Sequence, residues 1–267
     1  MCRWAAYRGE PIFIEELVSS PAHSLIAQSH SAIEARTATN GDGFGISWYG
    51  ERPTPGLYRD ILPAWSDCNL MSLAGQIRSP LFLAHVRAAT TGGTRRDNCH
   101  PFVHGRWSFM HNGQIGNFER LRRSLEMLLP DELFTARHGT TDSELIFLLA
   151  MQFGLDSAPI GAVRDAIQLI ENMARHLGIE PDVRFTSAFA DGKRLYAVRY
   201  ATSVQAPTLY AAPMGGGHCL VSEPLDSNRQ NWRGIPEGSA VIIDGQGLTI
   251  EPFLAPATTT DRVVAAE

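Results

Sequence analysis

The sequence has no block of Lys and Arg, no long apolar run and few cysteines, and each shortage removes a class of function. Its 23 basic residues are scattered along 267 positions and the formal charge is −5. That pattern leaves no electrostatic footprint for nucleic acid or an anionic membrane, so neither partner is expected. The longest apolar candidate, LIFLLAMQFGL, is about half of the roughly 20 residues that a membrane span requires, and Gln152 interrupts it. The first ten residues carry Arg3, Arg8 and Glu10 without an apolar core, which predicts no secretory leader, and Cys2 stands where myristoylation needs glycine. The four cysteines (Cys2, Cys68, Cys99, Cys219) form no CxxC pair and no framework, which excludes a disulfide scaffold and a structural zinc site. A reducing cytoplasm is the expected compartment. CHPFVHG, with His111 further on, has ligand-like spacing, but its histidines read as hydrogen-bonding core or pocket residues, and no metal is expected.

What is present is a chain that is 44% apolar, long enough for a sizeable core, with no composition break and no internal repeat. The opening alternation predicts a strand, a turn at Gly9 to Pro11 and a helix from about Glu15. HSLIAQSHSAI reads as a helix, and NGDGFGISWYG as a glycine-rich loop running into a strand. Residues 51–80 read as a Pro-rich turn and then an irregular or helical segment. PLFLAHVRAAT and GRWSFMHNG read as buried strands that end in polar residues. Helices follow at NFERLRRSLEMLL, at DSELIFLLAMQFGL with Asp142 as its N-cap, and from Pro159 to Leu177. Strands then return to the end, with hairpins at the Asp191 and Asp244 turns. Strands, helices and antiparallel strands in that order predict an α+β fold with two sheets inside and helices outside. One domain is expected over residues 1–255, with a flexible tail over 256–267.

Four stretches hold polar residues where packing alone would not place them. In AHVRAATTGG an apolar strand ends at Arg87, which is either a surface ion-pair partner or a planar grip on a substrate carboxylate, with Thr90 or the Gly92 backbone adding donors. In FMHNGQIGN the Asn112-Gly113 pair is either a hairpin turn or two convergent donors for an oxyanion. Asp142 in HGTTDSE is a helix cap or, beside a carboxylate-binding arginine, the group that reads an α-ammonium. Cys2 is a small buried residue or, once Met1 is excised, a thiol and a free α-amine on one carbon. That amine, with a reference pKa of about 7.7 to 8.0, could exchange a proton with a thiol of reference pKa about 8.5.

Together, MCRW, NGDGFGISWY, AHVRAAT, NCHPF, HNGQI and GTTDSE resemble the class II glutamine amidotransferases, N-terminal-nucleophile hydrolases with a Cys at the mature terminus. MCR, GDGFGISWY and the strand-rich carboxyl half look most like the free-standing branch, which includes YafJ-type proteins and the γ-glutamyl amidohydrolase of ergothioneine biosynthesis. The resemblance implies the four-layer αββα sandwich of the Ntn hydrolases, with two mainly antiparallel sheets. It implies Cys2 as nucleophile, Asn112 and Gly113 as oxyanion hole, Arg87 for the α-carboxylate with Thr90 helping, Asp142 for the α-ammonium, and His100 near the pocket. Where synthase-linked relatives have Trp-Ala-Thr-His after the arginine, this chain has Ala88, Ala89, Thr90 and Thr91, and no synthase domain follows. The expected reaction needs no cofactor. It hydrolyses a small γ-glutamyl amide through a Cys2 thioester and releases glutamate, with Trp65, Tyr210 and Trp232 as candidate walls for the amine half. A glutaminase subunit serving a separate synthase, a non-catalytic scaffold and a homo-oligomer are the alternatives left open.

Overall fold

The computed structural model describes residues 2–32, 39–89, 93–202 and 205–255. The expected tail and Thr90 lie outside these residues. In chain order the elements are β1 (Arg3–Phe13), α1 (Glu15–Val18), α2 (Leu25–His30), β2 (Phe44–Trp48), β3 (Gly56–Asp60), α3 (Cys68–Gln76), β4 (Arg78–Val86), β5 (Phe102–His104) and β6 (Trp107–Ile115). Four helices follow: α4 (Phe118–Glu126), α5 (Asp131–Thr135), α6 (Asp142–Gln152) and α7 (Pro159–His176). The carboxyl part holds β7 (Val183–Ala190), β8 (Leu195–Ala201), β9 (Tyr210–Met214), β10 (Gly217–Val221), β11 (Arg233–Gly234), β12 (Ser239–Asp244) and β13 (Gly247–Pro252).

The strands pair antiparallel into a seven-stranded sheet, ordered β11-β9-β10-β1-β4-β2-β3, and a six-stranded sheet, ordered β13-β12-β8-β7-β6-β5. Their side chains sort into three apolar layers. Trp4, Ala6, Leu81, Leu83, Met110 and Ala188 meet between the sheets. Ala5, Tyr7, Phe82 and Ala84 face outward and are covered by Leu17, Val18, Leu25, Leu70 and Ala74 of α1, α2 and α3. On the far side Phe109, Phe185 and Phe189 meet the apolar faces of α4 to α7. The result is the αββα sandwich implied by the resemblance, with β1 and β4 in the middle of their sheet and apolar on both faces. No helix among the described residues is long and apolar enough to cross a membrane.

Local chemistry explains the boundaries. Asp67 caps α3, its Oδ1 accepting from the Leu70 N–H at 2.7 Å, and Pro159 opens α7 where its missing N–H costs nothing. Three local expectations need correction. The turn at Gly9 to Pro11 is a register shift inside β1, between Arg8 and Ile12, spanned by the Tyr7 hydroxyl donating to Glu10 O and Gly215 O. The stretch expected to be irregular or helical contains β3, an edge strand that alternation alone did not reveal. The cap of α6 is Thr141, whose Oγ accepts from Glu144 N at 3.2 Å, and Asp142 is the first helical residue.

Phe109 is fully buried and stacks on Phe147 of α6, with centroids 5.3 Å apart and planes 11° apart, so it joins the helical layer to the inner sheets. Phe109→Ala should lower unfolding stability by about 3–5 kcal/mol, read as a shifted urea midpoint at unchanged slope.

Candidate active site

The site forms where the start of β1, the end of β4 and the middle of β6 meet. Arg3 pairs with Val86, so Cys2 lies beside the residues that follow β4. Cys2 Sγ is 3.4 Å from both the carbonyl oxygen and the N–H of Ala88. Burial pushes the thiol up, and the Ala88 backbone and then the Arg87 charge pull it back. On the other side, Asn112 Nδ2 donates to the Cys2 carbonyl oxygen at 2.8 Å, and Arg3 Nη1 donates to the same oxygen at 3.0 Å.

Arg87 is buried at the strand end, which rules out the surface ion-pair reading. The glycine-rich loop before β2 holds it. Its N–H donates to Gly43 O at 2.8 Å, its carbonyl accepts from Asp42 N at 3.0 Å, and Nη1 points at Asp42 O at 3.4 Å. Asp42 Oδ2 then accepts from Ala89 N at 2.8 Å, holding the backbone two residues beyond the arginine. The loop needs its glycines here: Gly43 has φ 112°, and a Cβ on it would stand 2.5 Å from Cys99 Sγ.

Asn112 and Gly113 are not a hairpin turn. They lie inside β6, paired with Thr186 and Phe185 of β7. The alternation of β6 carries Ser108, Met110 and Asn112 toward the other sheet, and Ser108 meets Ser47 there, with 2.6 Å between hydroxyls. Asn-Gly occurs in a strand because Gly113 takes φ 143°, and a Cβ on it would come within 1.8 Å of Arg184 O. Asp142 joins the far end of this strand to α6: Oδ2 accepts from Ile115 N and Oδ1 from Ser143 N, each at 2.8 Å. Beside it, His111 Nε2 meets the Arg184 carbonyl at 3.1 Å and Nδ1 meets Ser143 Oγ at 2.9 Å. A carbonyl only accepts, so the neutral ring carries its proton on Nε2. Burial lowers its pKa, and Asp142 acts in the opposite direction.

His100 is buried against His85, with ring centroids 4.2 Å apart. None of their four ring nitrogens makes a well-aligned hydrogen bond among the described residues, and neither does Asn112 Oδ1, although Asn112 and the His111 backbone stand close enough to His85 to act on its titration. Burial, reinforced by neighbouring positive charge, pushes His85 down to about 3 and His100 well below its ordinary value. Both rings stay neutral near pH 7. Among the described residues no group of three or more His, Cys, Asp and Glu could hold a metal ion.

Of the expected residues, Cys2, the strand end at Arg87, Asn112 and, through His85, His100 meet between the sheets, whereas Asp142 joins them only through the far end of β6, on its helical side. Reading the sequence did not pick out Arg3, Glu223, Asp42 or His85; the triplet MCR and the alternate positions of HVR were the available signals. Of the three aromatic residues expected as walls, Trp65 is 40% exposed and stands against Gly41, next to Asp42, and His30 meets it edge-on. Tyr210 and Trp232 belong to the outer face of the seven-stranded sheet, away from Cys2.

Two facing antiparallel sheets between helices, with a cysteine at the head of a central strand, define a glutamine amidotransferase fold. The phosphoribosylpyrophosphate amidotransferase of B. subtilis superposes with a TM-score of 0.65 over 96% of this chain and 50% of that one, at 14% identity, a likeness of fold alone. The family itself follows from the sequence match: residues 18–249 fit the model of the class-II glutamine amidotransferases, and the chain belongs to that family and is an enzyme of that type. A class-II domain protein of Silicibacter pomeroyi of known structure is 40% identical, with a TM-score of 0.76 over 95% of this chain and all of that one. A Saccharomyces cerevisiae protein named as a probable glutamine amidotransferase is 31% identical over 95% of this chain and 85% of its own length. The γ-glutamyl-hercynylcysteine sulfoxide hydrolase of Mycolicibacterium smegmatis is 28% identical over 95% of this chain and its whole length.

Two outcomes follow from this geometry. Gly113→Ala should destabilise the fold by about 3 kcal/mol through strain and overlap with Arg184 O, lowering Tm. The lowered pKa values of His85 and His100 mean that the unfolded chain binds more protons below pH 6.5. Their contribution to stability is complete above that pH and is lost progressively as the pH falls toward 3. The unfolding free energy, read from the urea midpoint at constant slope, should therefore fall between pH 7 and pH 5 by on the order of 1–2 kcal/mol for each histidine, and fall less in His85→Gln.

Proposed function

We propose that the chain hydrolyses a γ-glutamyl amide through a thioester on Cys2, releasing glutamate and an amine or ammonia. The observation that carries this reading is the convergence on Cys2 of the Ala88 peptide at its sulfur and the Asn112 amide at its carbonyl, one residue from Arg87. With Met1 removed, the α-amine of Cys2 takes the thiol proton and the sulfur attacks the γ-carbonyl. The second N–H of Asn112 and the Gly113 N–H receive the oxyanion, a term worth roughly 3 kcal/mol per donor. Arg87 reads the α-carboxylate of the glutamyl head and Asp142 its α-ammonium. His85 and His100, neutral and buried against each other, would stand on the Asn112 side of the bound amide.

The amine then leaves with the proton, and water resolves the thioester. That the hydrolase of M. smegmatis matches along its whole length favours release of a free product over delivery of ammonia to a synthase. Trp65, exposed beside the loop that holds Arg87, is where an amine half larger than ammonia would rest.

A panel of γ-glutamyl amides including free glutamine, assayed for glutamate release, should identify a substrate that the processed chain turns over. Cys2→Ala should remove that activity by at least about a thousandfold while leaving the fold intact. Full turnover by a chain that keeps a residue before Cys2 would sink the N-terminal mechanism.

A further inference from the structure

We propose that Arg3, anchored by Glu223, is a positioning residue of this reaction, whose guanidinium on the Cys2 carbonyl oxygen fixes the nucleophile and favours the unprotonated form of its α-amine. The inference rests on the reading of Cys2 as a processed terminus. Arg3 is only 2% exposed, although it carries a charge. Its Nε makes an ion pair with Glu223 Oε2 at 2.8 Å, its Nη1 donates to Cys2 O at 3.0 Å, and its Nη2 is buried without a hydrogen-bond partner among the described residues.

A purely structural role would be to tie β1 to the end of β10. That junction is already made without Arg3, by Trp4 N donating to Ser222 Oγ at 2.9 Å and Ser222 N donating to Trp4 O at 3.0 Å. A buried ion pair is also a poor source of stability compared with apolar residues of the same volume. What the pair does have is direction. The negative end, Glu223, lies beyond the guanidinium, and the positive end touches the Cys2 carbonyl, which covalent geometry places within about 4 Å of the α-nitrogen of the same residue. A cation one hydrogen bond beyond that oxygen disfavours an ammonium on the neighbouring nitrogen.

The other charged and titratable groups near Cys2 do not cancel this. The Asp42 carboxylate, on the loop before β2, opposes it but is engaged by Ala89 N beside Arg87; Arg87, after β4, acts with the same sign as Arg3, and Cys99, before β5, is pushed up toward its neutral thiol by burial. His85 on β4 and His111 on β6 are held toward neutrality, and the Asp142 carboxylate is engaged by Ile115 and Ser143. The chemistry needs a free amine. It accepts the Sγ proton as the S–C bond forms, and the resulting ammonium gives that proton to the leaving nitrogen as the C–N bond breaks. An amine already protonated cannot start the cycle.

The test is the pH profile of kcat/KM for one γ-glutamyl amide, using processed wild type, Arg3→Lys and the double variant Arg3→Gln/Glu223→Gln, which leaves no buried carboxylate unpaired. The acid limb should move to higher pH in the double variant, costing about tenfold at pH 6.5 and much less at pH 9, while Arg3→Lys stays near wild type. Equal losses at every pH would make Arg3 structural and overturn the proposal. Because the double variant could fail to fold, the α-amine is also titrated in wild type by NMR of chain labelled with nitrogen-15 at cysteine. A midpoint below the reference range of about 7.7 to 8.0 supports the proposal, and one at or above it overturns it. Absence of any γ-glutamyl hydrolysis by wild type would instead refute the underlying reading, and a midpoint at or above the reference range would still overturn the role of Arg3.

Discussion

The pairing of Arg3 with Val86 is the contact on which the site depends. Val86 sits between two partners, Arg3 of β1 and Phe44 of β2, so one position of β4 sets the register of three strands. Residue 2 and residues 87 and 88 then fall side by side as a consequence of backbone geometry. A slip of one residue would turn Trp4 from the layer between the sheets to the helical face and carry Cys2 with it. Because β1 is apolar on both faces, polarity alone does not forbid that slip. Volume does: Trp4 and Ala5, on opposite faces, cannot exchange places in close-packed layers without opening a void on one face and a clash on the other.

The same central placement explains why so many polar groups are buried here. His85, His100, Arg87, Asn112 and Asp142 are all removed from solvent, and burying such groups costs free energy unless each finds a partner. The cluster divides into two kinds. Asp142 and His111 are fixed by backbone and by Ser143, which hold β6 against α6 and leave the Asp142 carboxylate acceptor capacity for a further donor. His85, His100 and the Asn112 oxygen are not saturated, and they gather on the side toward Cys2. Unpaired buried polar atoms concentrated at one place, beside a half-buried thiol, have the character of a site that binds a polar ligand, whereas a structural network would have closed on itself.

Much of this was legible in the sequence, for reasons that can be named. Strands buried on both faces announce themselves by composition, as PLFLAHV does, the helices α4 and α7 by their apolar spacing, and α6, buried all round, by the length of its apolar run after a cap. The edge strand β3 was not legible because Gly56–Asp60 is paired on one side only and has little apolar pattern to show. Asn112-Gly113 misled in a more instructive way. The dipeptide favours turns because glycine accepts positive φ, and β6 uses that same freedom in mid-strand, where Arg184 O approaches too closely for any side chain. The roles of Arg3 and Glu223 could not be read at all, since 220 positions separate them and only the adjacency of β1 and β10 brings them together.

A terminal residue usually frays, because nothing precedes it to fix its torsions. At Cys2 the structure supplies what the chain would lack. A carbonyl oxygen has two lone pairs, and here Arg3 and Asn112 take one each, so rotation about the Cα–C bond is arrested. The Ala88 peptide engages the sulfur from both its N–H and its carbonyl, which fixes the side-chain torsion. With both rotations held, the position of the α-nitrogen relative to the sulfur follows from covalent geometry alone. The contact to the carbonyl also settles which way Asn112 faces, since only its NH₂ can donate there, and its second N–H is left held by a rigid strand. A donor fixed in advance needs no reorganisation when charge develops, so the hydrogen bond that pins Cys2, the proposed nucleophile, also prepares the group proposed to receive the oxyanion.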